Sequence, residues 1–231
     1  MLKGLKGTDW MSPLLRYYEK FEHDKILDFL KLLDIKYSAD WIGRSSPTER
    51  IMAMVNIIKV IDAAKDVNDV FNSKFDLKCF SIDKESFIRE IEGPVYGKGF
   101  ARYLLLKLDY FYGDPQIPMN VERLSVEHIL PQNPAEDSSW VKDFSSEERA
   151  EWNHKIGNLV LITGHKDSSL GRHDYREKKE IHFEKNINSF PNSLRVLKQY
   201  GCWTPKELAD NHSKVLNKIY EHYGISTTKC V

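Results

Sequence analysis

Two short runs, RLSVEHILP at 123–131 and IGNLVLI at 156–162, interrupt a chain whose other apolar residues recur mostly at helical spacing. Each is aliphatic and β-branched and is bounded by Pro, Gly or Asn, as strands are. A chain offering two such runs can build a small sheet, and the remainder must pack around it as helices. The expected class is therefore α+β, mostly helical.

The first half carries the helical pattern. Residues 14–34 place Leu15, Tyr18, Phe21, Ile26, Phe29, Leu30 and Leu33 at helical intervals with charges between them. Ser46-Pro47-Thr48-Glu49 is a capping box with proline at the first helical position, and Ile51, Met54, Val55, Ile58 and Ile61 follow on one face. Further helices are expected at about 83–92 and 100–112. The segment GDPQIPMN, at 113–120, has the composition of a connector. It divides the chain into a helical bundle, 1–113, and a second domain, 114–231. Within the latter, Ser145 and Glu148 have capping-box spacing, the charged stretch after residue 163 leads into a helix, and Thr204-Pro205-Lys206-Glu207 opens the last one.

The length of 231 residues suits about one and a half domains of roughly 150 residues. Lysine plus arginine number 34, as do aspartate plus glutamate, so global charge gives no support for a nucleic-acid partner. Any such case must come from local residues. No apolar run approaches the roughly 18 residues of a membrane span, and the opening MLKGLKGTDW does not resemble a secretory signal, so the expected location is cytoplasmic. Cys79, Cys202 and Cys230 are far apart and lack CxxC spacing, which argues against a disulfide framework and against thiolate zinc. Histidines are more informative: of eight, only His23 precedes residue 125, and five fall between His128 and His182.

In that stretch Glu127 and His128 stand side by side at the end of the first run. Neighbours on a strand point to opposite faces, so both serve one site only if the chain turns there, as Pro131 favours. Gly157-Asn158 opens the second run, and Asp167 follows nine residues after Asn158. With Trp140, HKIGNLVLITGHKDSSLG and DYREKK, these residues resemble the nuclease half of the GmrSD-type restriction endonucleases, of the His-Asn-His (HNH, ββα-metal) superfamily. Weaker similarity extends to 40–51 and 202–220. The resemblance implies an N-terminal helical bundle, a ββα-metal core and a C-terminal helix. It also implies an N-terminal ParB-like nucleotide-hydrolysing domain or subunit as partner.

Carried over by position, His128 matches the general base, Asn158 the asparagine that orients it, Glu127 a metal carboxylate and Asp167 the second metal position. An imidazole with an ordinary pKa near 6.5 can take a proton from water at neutral pH. Mg²⁺ or Mn²⁺ prefers oxygen ligands and can stabilise charge on a scissile phosphate. Asp167 departs from the usual Asn or His; two carboxylates make a harder site, and His165 or His173 in a shifted register is an alternative ligand. Lys166, Arg172, Arg176, Lys178 and Lys179 cluster nearby as candidate phosphate contacts.

Plain alternatives stand beside each reading. Glu127 can be a solvated charge, Asn158 a turn residue after Gly157, Asp167 a helix cap, and the basic cluster an ion-paired helix face with Asp174, Glu177 and Glu180. His154, His182, His212 and His222 read as surface or packing residues, and Trp140 and Trp152 as core anchors. The leading expectation is a metal-dependent, nicking DNA endonuclease acting as the cleavage module of a restriction or phage-defence system. Its rivals are a degenerate HNH fold that binds DNA or protein, and an RNA-cutting toxin using the same site.

Overall fold

The computed structural model describes residues 5–71, 77–114, 124–163, 173–184 and 190–226. The chain divides into two compact units, Met1–Glu90 and Ile91–Val231. The first holds α1 (Met11–Phe21), α2 (Ile26–Ile42), α3 (Pro47–Ala63), α4 (Val67–Phe71), a 3-10 turn (Leu77–Phe80) and most of α5 (Lys84–Glu92). The second holds α6 (Ala101–Tyr112), β1 (Leu124–His128), α7 (Ser139–Asp143), α8 (Ser146–Trp152), a 3-10 turn (Ile156–Asn158), β2 (Leu159–Thr163), α9 (Tyr175–Glu184), α10 (Pro191–Gln199) and α11 (Pro205–His222).

In the first unit α1 packs on α3 around Tyr17, Phe29, Leu33, Tyr37, Ile57 and Ile61, all fully buried. The capping box forms as its residues demand: Ser46 Oγ accepts from the Glu49 amide at 3.2 Å, and Glu49 accepts from the Ser46 amide at 2.6 Å. At the other end of α3, Lys20 donates to the carbonyls of Ile61, Asp62 and Ala64, satisfying acceptors that a helix C-terminus leaves open. The buried stripe on α3 is Met54, Ile57 and Ile61, whereas Ile51 is 49% exposed. The apolar face is thus rotated from the one that the spacing suggests. Likewise Tyr17, not Tyr18, enters the core of α1, because tertiary packing chose between two adjacent tyrosines.

The second unit is organised by a two-stranded antiparallel sheet in which Leu124 faces Thr163, Val126 faces Leu161 and His128 faces Leu159. Helix α6, grouped with the N-terminal bundle on sequence grounds, packs here against β2, α10 and α11. The connector that sequence places at 113–120 has residues 115–120 outside the described ones. Helix α10 was not foreseen, although Pro191 at its first turn is a start signal. The core beside the sheet joins Ile129, Leu130, Val160, Tyr175, Val196 and Leu197. Trp140 is an anchor as expected, 1% exposed with its indole N–H donating to the His173 carbonyl at 3.0 Å. No helix is long and apolar enough to cross a membrane among the described residues.

Candidate functional site

Strand β1 ends at His128, and the chain turns over the next three residues. That turn is written in hydrogen bonds from the start of β2. The Ile129 amide donates to the Asn158 carbonyl at 3.0 Å. Asn158 Oδ1 accepts from the Leu130 amide at 2.8 Å, while its Nδ2 donates to the Leu130 carbonyl at 3.0 Å and to the Asn153 carbonyl at 2.9 Å. Asn153 in turn donates to the Pro131 carbonyl at 2.9 Å. Asn158 is fully buried, so its amide must find protein partners, and it finds three. It holds main chain next to the histidine, and no described bond joins its amide to the imidazole.

Gly157 supports this asparagine for a different reason. Its backbone is not in the left-handed region. A Cβ there would lie 2.5 Å from His212 Cβ and 2.6 Å from His212 Cα, so glycine lets α11 approach. Asn211 donates to the Gly157 carbonyl at 2.7 Å, and the Gly157 amide donates to His212 Nδ1 at 3.3 Å. Burial, reinforced by the charge of Lys155, pushes the His212 pKa down to about 4, which keeps Nδ1 an acceptor.

His128 is 3% exposed. Its ring meets the edge of Tyr96 at 4.3 Å between centroids and that of His154 at 5.6 Å, while Tyr96 and His154 stack at 5.4 Å. The His154 carbonyl accepts from the amides of Val95 at 2.7 Å and Tyr96 at 3.1 Å, which ties the two aromatic neighbours into one unit. Neither was foreseen as part of the site: His154 was read as a packing or surface residue, and Tyr96 carried no motif. The only sequence signal was that His154 stands four residues before Asn158.

Glu127 is 5% exposed, and its carboxylate meets Lys178 from α9 rather than the aromatic group around His128. It is not the solvated charge of the bland reading. Lys178 corrects a second expectation. Instead of facing phosphate, it is 4% exposed and donates to the His128 carbonyl at 2.8 Å, the Ile129 carbonyl at 3.1 Å and Glu127 Oε1 at 3.4 Å. The reason is position: on α9 it falls on the same inward face as Tyr175. A small cavity of about 20 Å³ adjoins Glu127, His128, Tyr175 and Lys178, enough for about one water molecule.

Of the other basic candidates, Arg176 is exposed and pairs with Glu180 at 3.2 Å, and Lys179 donates to the Tyr200 carbonyl at 3.3 Å. His173, an alternative metal ligand, has Nδ1 3.1 Å from Glu177. Lys166, Asp167, Arg172 and His165 lie outside the described residues. Among the described residues, no three His, Cys, Asp or Glu side chains are grouped to hold a metal ion.

Fold and site together define an α+β domain in which a histidine at a strand end is fixed by an asparagine at the foot of the antiparallel partner strand. The model of the GmrSD restriction endonucleases, C-terminal domain, matches residues 81–218. The match covers more than half of the chain, which therefore belongs to this family of restriction endonuclease C-terminal domains. No curated protein and no solved structure matches it.

Proposed function

We propose that the chain is an HNH-type, metal-dependent DNA endonuclease module that hydrolyses phosphodiester bonds, nicking one strand, within a restriction system that acts on foreign or modified DNA. The observation that carries this reading is the immobilised strand end: His128 is held by main-chain bonds on both following residues and by aromatic contacts on its ring. A general base works only from a fixed position within reach of the water it deprotonates.

In this reading His128 takes the proton from the attacking water. Asn158 acts through the Leu130 backbone to keep the imidazole in place, and Tyr96 and His154 restrict its ring. Glu127 is a hard oxygen donor of the kind that Mg²⁺ or Mn²⁺ prefers, and the adjoining cavity of about 20 Å³ leaves room beside it, so this donor fits such an ion. Glu127 and Asp167 would hold it. When bound, the ion supplies charge stabilisation at the scissile phosphate and the leaving 3′ oxygen. Arg176, with Lys166 and Arg172, remains the candidate set for phosphate contact, and a ParB-like nucleotide-hydrolysing domain or subunit is the proposed partner.

The test is conversion of supercoiled plasmid to open-circular or linear DNA by wild type and His128→Ala, with Mg²⁺, Mn²⁺ or EDTA. Metal-dependent cutting that the substitution removes is the expected outcome. Equal inertness of both proteins, with the partner domain supplied, would overturn it. One observation favours the second reading, a non-cutting HNH fold that binds DNA or protein: the Glu127 carboxylate is already engaged by an ammonium group.

A further inference from the structure

We propose that Lys178 is the resident cation of this site, a positioning residue that pins the His128 strand end and competes with a divalent ion for the Glu127 carboxylate. This inference rests on the metal-dependent reading above and extends it to the control of metal affinity.

The side chains of Lys178 and Glu127 are 5% and 7% exposed. An ammonium group stripped of water at that depth must be surrounded by acceptors, and it has three here: the carbonyls of His128 and Ile129 and the carboxylate of Glu127. The carbonyl bonds, at 2.8 and 3.1 Å, are shorter than the carboxylate contact at 3.4 Å. The strand end therefore sets where the ammonium sits, and the carboxylate faces a charge already in place. A compact, rotatable ammonium suits three divergent acceptors better than the planar fork of arginine would.

Two consequences follow from one charge. Without a divalent ion, Glu127 is neutralised where it stands and the main chain carrying His128 keeps its shape. With one, the incoming cation must share the carboxylate with a like charge a few ångströms away in a poorly screened interior, or displace it. Lys178 thus stabilises the metal-free site and weakens the metal-bound one, so occupancy follows the ambient divalent concentration.

The experiment is calorimetric titration of Mn²⁺ into the full chain as wild type, Lys178→Met, Lys178→Gln and the double variant Glu127→Gln/Lys178→Gln, with circular dichroism to confirm folding. Methionine keeps the packing volume without charge, and glutamine also keeps a donor for the carbonyls. Removing the charge should tighten Mn²⁺ binding at least ~10-fold, and the double variant should lose that gain. Unchanged or weaker binding in folded Lys178→Gln, beside measurable binding in wild type, overturns the competition while leaving metal dependence intact. Tight binding that survives Glu127→Gln overturns it too, because the ion would then sit elsewhere. If wild type and both lysine variants bind no Mn²⁺, the metal-dependent reading itself fails and the inference falls with it. Should Lys178→Met not fold, the glutamine variant decides alone.

Discussion

Asn158 grips Leu130 with both ends of its amide, Oδ1 on the N–H at 2.8 Å and Nδ2 on the carbonyl at 3.0 Å, across 28 residues of sequence. The pair reproduces with a side chain what a third strand residue would do with its backbone. Truncation leaves two buried main-chain groups of Leu130 and the Asn153 carbonyl without this partner, and each such loss costs about 1–3 kcal/mol. Asn158→Ala should therefore destabilise the chain by roughly 3 kcal/mol or more in urea unfolding. Asn158→Asp should be worse than a lost bond alone, because a carboxylate would face two carbonyls.

Gly157 predicts a steric outcome. A methyl group placed 2.5 Å from His212 Cβ must push α11 away or shift the foot of β2. Gly157→Ala should cost about 1–3 kcal/mol, the usual range for overpacking, and the loss should be largely relieved by His212→Ala in a double-mutant cycle.

The aromatic neighbours of His128 supply a kinetic prediction. Tyr96→Ala removes the ring that meets the imidazole at 4.3 Å, and misplacement of a reacting group by about 1 Å can cost about 100-fold in rate. Plasmid cutting by Tyr96→Ala should fall by ~10- to 100-fold with thermal stability little changed, whereas Tyr96→Phe, which keeps the ring, should retain most activity.

Two buried groups give opposite pH dependences. Burial raises the Asp109 carboxyl to about 7, against the pull of the Asn192 amide, which donates to Oδ1 at 2.8 Å, and of the Arg195 charge. The fold prefers its protonated form, so the stability that it contributes is full below the ordinary carboxyl pKa of 3.8 and is lost as pH rises through about 7. Asp109→Asn keeps the acceptor and cannot ionise; it should gain stability over wild type at pH 8 and little at pH 4. His212, lowered to about 4, behaves in reverse: its contribution is present above the ordinary 6.5 and is lost as pH falls from there towards 4. His212→Gln should flatten that acidic limb in urea melts.

What the sequence made legible was local. Capping boxes at Ser46, Ser145 and Thr204 each involve a partner three residues away, and all three form. The strands were readable from composition, and their pairing brings Glu127 opposite Val160. The resemblance also led to His128 and Asn158, but not to how Asn158 works, since its partners lie 28 and 5 residues off and are backbone atoms of no particular type. Lys178 was misread because its surroundings in sequence, DYREKK, are those of a solvated helix. Only the packing of α9 shows that this lysine turns inward. Tyr96 and His154 escaped because nothing in their identity distinguishes a ring that braces a catalytic group from one that fills space.

The pin on the His128 carbonyl arrives 50 residues after the histidine itself. A ribosome makes the chain from the amino end, so the hairpin of β1 and β2 is complete before Lys178 has been joined to it. Until α9 emerges, the strand end lacks one of its two clamps. A protein of this family would be dangerous if its site matured on a half-made chain, and the late lysine makes maturation the reward of finishing synthesis.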